Sequence, residues 1–81
     1  MHEILIRFRF IATDENTECA FDERLSFREN FDLLKEISNV DCDDILIYDP
    51  VKKIFLNKDL PLKEFNICSF ILLYVFNIRS F

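Results

Sequence analysis

The chain has 81 residues, a formal net charge of −5, ten phenylalanines and no glycine, and 51% of it is hydrophobic. That composition makes one globular domain with a small core and excludes intrinsic disorder. Without glycine there can be no P-loop and no Gly-x-Gly-x-x-Gly dinucleotide turn. The ten basic residues are scattered, with Arg7/Arg9 and Lys52/Lys53 as the close pairs. Phosphate backbones need a clustered cationic surface, so no nucleic-acid partner is expected. Acidity equally disfavours a bare anionic membrane.

No stretch approaches the roughly 18 consecutive apolar residues of a bilayer span, so direct membrane insertion is not expected. Met1-His2-Glu3-Ile4 lacks the basic and apolar regions of a signal peptide. Cys19, Cys42 and Cys68 are odd in number and lack metal-ligand spacing, which fits reduced thiols in a cytoplasmic protein. His2 is the single histidine and stands at the start of the chain, a poor anchor for a nucleophile–base pair. The sequence therefore predicts no catalytic residue, no metal site and no cofactor, and the protein is not expected to be an enzyme.

In chain order, Ile4, Ile6, Phe8 and Phe10 share one phase of residues 3–11 and Arg7 and Arg9 the other, which predicts a strand with one buried face. After the polar turn Thr13–Thr17, residues 18–25 are expected to return as a second strand. Phe21, Glu23 and Leu25 would point inward there, with Glu23 guarding an edge. Ser26-Phe27-Arg28-Glu29 has the form of a capping box. Phe27, Phe31, Leu34 and Ile37 then recur on one helical face, predicting a helix over 27–38 that ends at Ser38-Asn39.

Asp41-Cys42-Asp43-Asp44 reads as a solvated acidic loop, since a calcium loop would also need a turn glycine and a distal glutamate. Ile45–Tyr48 and Lys53–Leu56 are predicted as strands joined by a turn at Asp49-Pro50. Residues 60–67 suit one helical turn around Pro61. Ser69–Phe76 is predicted as the fifth strand, apolar on both phases. An 81-residue chain with one helix can cover only one face of a sheet, so the second face of this strand is expected to dock a partner.

The order β-β-α-β-β-turn-β, with Asp59-Leu60-Pro61-Leu62-Lys63-Glu64-Phe65-Asn66-Ile67 before the last strand, resembles the β-grasp of ubiquitin over residues 3–76. The expected fold class is α+β: one helix packed on a mixed four- or five-stranded sheet, in one domain spanning 1–81 with a short tail at 77–81. Its length, the Phe21-Asp22 start of strand two and an end soon after strand five are similar to the small bacterial YukD/EsaB proteins of type VII secretion. That family often carries Gly-Asp where this chain has Phe70-Ile71. The resemblance implies a cytoplasmic, non-catalytic interaction module that is an accessory or regulatory component of such a system. Asn77-Ile78-Arg79-Ser80-Phe81 is not the Gly-Gly tail that a covalent modifier or sulfur carrier needs.

If the helix covers Ile4, Ile6, Phe8, Phe21, Leu25, Ile45, Ile47, Leu73 and Val75, alternation puts Leu5, Arg7, Arg9, Leu46, Tyr48, Leu72, Tyr74 and Phe76 on the opposite face. The resemblance aligns Leu46, Tyr74 and Phe76 with the recognition patch of ubiquitin. These eight residues are the candidate protein-interaction site. The partner is a protein docking there, with self-association through the same patch as the alternative, or the tail residues Ile78 and Phe81 folding over it.

Overall fold

The computed structural model describes residues 2–34 and 41–78. Two antiparallel hairpins flank one central strand. The strands β1 (Glu3–Phe10) and β2 (Glu15–Asp22) form the first hairpin, and β3 (Ile45–Asp49) and β4 (Ile54–Leu56) the second. β5 (Ile71–Asn77) lies between them, parallel to β1 and antiparallel to β3, giving the order β2-β1-β5-β3-β4. The sheet is mixed and five-stranded.

The helix α1 (Phe27–Leu33) starts where its cap requires. Ser26 Oγ accepts from the Glu29 amide at 3.1 Å, and Glu29 Oε1 accepts from the Ser26 amide at 3.2 Å. This satisfies two amides that the first turn leaves without intrahelical partners. Phe27 and Phe31 are buried beneath it, and Leu34 caps its end while packing half-buried on the core. Ile37 and Ser38-Asn39 lie outside the described residues.

The core is a knot of phenylalanines between α1 and the inner sheet face. Phe8 is fully buried, with its ring centroid 5.3 Å from Phe21, 5.5 Å from Phe31 and 6.3 Å from Phe27. Ile6, Ile45, Ile47, Leu73 and Val75 complete the sheet side, and Leu56 and Leu62 close the rim.

Four expectations need correction. The helix expected over 27–38 ends at Leu33, with Leu34 already extended. β2 runs Glu15–Asp22, three residues earlier at each end than expected, so Glu15, Asn16 and Thr17 belong to the strand and not to the turn, Phe21-Asp22 ends the strand and does not start it, and Glu23 and Leu25 are not strand residues. Asp22 stops the strand by binding its own turn: its carboxylate accepts from the Arg24 amide at 2.9 Å, Nε at 3.0 Å and Nη2 at 2.7 Å. These bonds lower its pKa to about 2. Glu23 thus does not point into the core; it is half-buried in the turn, 3.8 Å from His2 Nδ1. Asn30, on the buried side of α1, fastens the same connection. Its amide group donates to the carbonyls of Asp22 at 3.0 Å and Ser26 at 2.9 Å, and its Oδ1 accepts from the Asp22 amide at 2.8 Å.

The acidic loop is solvated at Asp41 and Asp43 but is also ordered, with Cys42 buried. Cys42–Asp44 forms a 3-10 turn capped by Asp41, Asp43 accepts from Arg28 Nη1 at 2.8 Å, and Lys58 Nζ donates to the carbonyls of Cys42 and Ile45.

Finally, β5 begins at Ile71 and not Ser69, because Phe70 is left-handed, with φ 67°. The Ile71 amide closes a turn onto the Cys68 carbonyl at 3.3 Å, with Phe70 at the third position. A glycine takes that conformation freely, whereas a residue with a Cβ bears roughly 1–2 kcal/mol there. The Phe70 ring is 56% exposed and buries little in return. Phe70→Gly is therefore expected to raise stability by about 0.5–1 kcal/mol, the relief exceeding the extra unfolded-state entropy. A lower melting temperature in calorimetry would contradict this.

Candidate functional site

The β pleat decides the outer face. α1 holds the inner phase of β1, β3 and β5, so the other phase of those strands points away from the core. Pairing then sets the outer side chains in transverse rows. One row crosses all five strands: Asn16, Arg9, Tyr74, Tyr48 and Phe55 are successive register partners. A second runs Glu18, Arg7, Leu72, and a third joins Phe76 to Leu46. Leu5 stands opposite Ala20 on the β1–β2 side.

The structure thus brings all eight expected residues to one face. Leu46 is 40% exposed, Arg7 is exposed, and Leu5, Arg9, Tyr48, Leu72, Tyr74 and Phe76 are half-buried. Sequence reasoning missed Phe55, which is 59% exposed on the same face. Its signal was the short Asp49-Pro50 turn, which makes Phe55 the partner of Tyr48. Asp49 shapes that turn: its buried carboxylate accepts from the Val51 amide at 2.9 Å and the Lys52 amide at 3.2 Å.

Tyr48 is the hub of an aromatic cluster. Its ring centroid lies 4.9 Å from Phe55, 6.1 Å from Phe76 and 6.5 Å from Tyr74, and Phe55 and Phe76 are 6.4 Å apart. Edge-on and offset rings at these spacings contribute about 0.5–1.5 kcal/mol per pair beyond burial, so the cluster is preformed. Beside it stand the arginines. Arg9 pairs with Asp14, and Arg7 Nε donates to the Phe70 carbonyl at 3.1 Å. An open recess of about 450 Å³ lies between the arginines and the β2 edge, lined by Arg7, Asn16, Thr17, Glu18 and Leu72.

No protein-family model and no curated protein sequence matches the chain. Solved structures do. It is similar to the ubiquitin-like domain of an Arabidopsis thaliana protein, at 17% identity over 99% of this chain and 82% of that one, with a TM-score of 0.79. The fold is ubiquitin-like. Similar too are the C-terminal ubiquitin-like domain of mouse tubulin-specific chaperone e (15% identity, 94% of this chain and 87% of that one, TM-score 0.72) and the ubiquitin-like domain of yeast Ddi1 (17%, 99% and 94%, 0.72). At these identities the likeness is one of fold alone. Within this ubiquitin-like fold the aromatic cluster lies on the sheet face that the helix leaves uncovered. The tail residue Ile78 is exposed, with its amide on the Asp44 carbonyl at 2.7 Å, while Phe81 lies outside the described residues.

The remaining chemistry-bearing groups are dispersed. Among the described residues no cluster of three or more His, Cys, Asp or Glu could hold a metal ion, and no helix is long and apolar enough to cross a membrane. Cys19 and Cys42 are buried and Cys68 is exposed. Burial pushes the Cys42 thiol up to about 11. A thiol reagent at neutral pH should thus modify Cys68 quickly and Cys19 and Cys42 only on unfolding; in denaturant all three should react without prior reduction. Because folding holds the Cys42 proton that the unfolded chain loses above about pH 8.5, this contribution to stability falls as pH rises from about 8.5 to 11. A denaturant midpoint that rose over that window would refute it.

Proposed function

We propose that this protein is a non-catalytic interaction module that binds a protein partner through its outer sheet face, as a cytoplasmic accessory or regulatory component of a type VII secretion system. The single observation that carries the interaction reading is the preformed aromatic cluster of Tyr48, Phe55, Tyr74 and Phe76 on the face opposite α1. Rings that are amphipathic and already ordered lose little entropy on binding, which is why such residues dominate binding hot spots. Similarity to ubiquitin-like domains supports the module reading. The secretion assignment rests on the resemblance to the small bacterial YukD/EsaB proteins.

Affinity capture from the source cells, with the native chain and the Tyr74→Ser/Phe76→Ser chain as parallel baits, tests the reading. Secretion-system proteins retained by the native bait and lost by the variant support it. Equal retention by both baits refutes the face, and partners from another process refute the secretion role. Secretion ATPase or WXG100 genes beside this one would independently support that role.

A further inference from the structure

We infer that the outer sheet face pairs with the same face of a second copy, in a two-fold dimer whose axis runs along β5. The inference rests on that face being an interaction surface and names one occupant for it.

The face is built asymmetrically about β5. On one side, at the β4 edge, Phe55 stands out as its most exposed ring. On the other side, at the β2 edge, lies the recess lined by Arg7, Asn16, Thr17, Glu18 and Leu72. Phe55 and Asn16 end the same transverse row, at opposite edges of the sheet. A two-fold rotation about a line along β5 exchanges β4 with β2 and β3 with β1, and keeps each row at its own height. It therefore lays Phe55 of each copy over the recess of the other, the reciprocal contact that an isologous interface demands. The same rotation sets Arg9 over Tyr48 of the second copy, where a guanidinium can lie against a ring face.

Charge favours this occupant. The recess carries a cation and an anion side by side, Arg7 and Glu18. For a charged insert the attraction of one is offset by the repulsion of the other, whereas a neutral ring meets Leu72 and the aliphatic stems of Arg7 and Glu18. Size points the same way. A standard interface takes about 800 Å² from each partner. The contact must reach both edges, and a second five-stranded sheet stacked about 10 Å away does so.

Sedimentation equilibrium on the purified chain tests the dimer. The native chain should show a monomer–dimer equilibrium. Phe55→Ser, which removes the projecting ring, and Asn16→Trp, which fills the recess, should each weaken it by at least about tenfold. Each of those variants alone retains neither of the two reciprocal contacts. An equimolar mixture of the two retains one, a native ring in a native recess, and should associate more tightly than either variant by itself. A native chain that stays monomeric at every concentration overturns the dimer, and leaves docking of a different protein to the capture experiment. So does a mixture no tighter than its components, or Phe55→Ser dimerising as the native chain does. Should circular dichroism show Asn16→Trp unfolded, Glu18→Trp fills the same recess and takes its place.

Discussion

Phe8→Ala is expected to leave the chain largely unfolded at 37 °C. Phe8 is fully buried and touches the rings of Phe10, Phe21, Phe27 and Phe31, so it ties β1 to β2 and both to α1. Truncating a buried phenylalanine removes its transfer free energy and leaves a cavity, together about 3–5 kcal/mol. A domain of this size commonly has only about 4–12 kcal/mol of stability in total. At about 4–8 °C per kcal/mol, the melting temperature should fall by at least about 12 °C. Phe70→Gly, at the exposed end of the scale, supplies the contrast within one set of thermal scans. A Phe8→Ala chain that melted with the native one would mean that the phenylalanine knot is not the core.

The second large effect concerns binding and not folding. Tyr74→Ser/Phe76→Ser removes two rings from the cluster around Tyr48 and leaves the core under α1 untouched. Both side chains are half-buried by their neighbours, so the change is not as silent as one at a bare surface position. Three ring pairs are lost, at about 0.5–1.5 kcal/mol each before relaxation, and the sheet should still form. Central aromatic anchors contribute about 2 kcal/mol or more each to a bound complex. Losing two weakens partner affinity by roughly a thousandfold. Native circular dichroism combined with lost binding, read by titration calorimetry against a captured partner, is the expected result. A double variant that simply unfolds would place these rings in the core and remove the case for an interface.

Much of this was legible in the residues, for physical reasons that also mark where legibility stops. Alternation along β1 separates Ile6 and Phe8 from Arg7 and Arg9, and the pleat turns that separation into two faces. Ser26 and Glu29 announce α1 because a capping box satisfies specific orphan amides. Alternation does not say where a strand stops. β2 ends because the Asp22 carboxylate prefers its own turn to the ladder, while Glu23 and Leu25 continue the period of Phe21 beyond that point. Asn30 carries no local signal of its role, since its partners are carbonyl groups that only the folded connection brings within reach. Phe70 was hidden by its own side chain: an aromatic beside Ile71 and Leu72 reads as strand, and nothing local marks a left-handed backbone where glycine is the usual choice. Phe55 needed the register, which depends on how Asp49 folds its turn.

The placement of β5 has a kinetic consequence. The two hairpins are each local, but β5 alone joins them into one sheet, pairing with β1 from the opposite end of the described chain. Neither hairpin can lean on the other before β5 arrives, and an isolated two-stranded hairpin is marginal in water. The loop-closure entropy of bringing Ile71 to Ile6 must be met before the long-range contacts offset it. The rate-limiting ensemble is then the capture of β5 between two loosely formed ribbons, in the slower, topology-limited range of small-domain folding. Once captured, the strand leaves no half-sheet to melt by itself, so the molecule loses its structure as one cooperative unit.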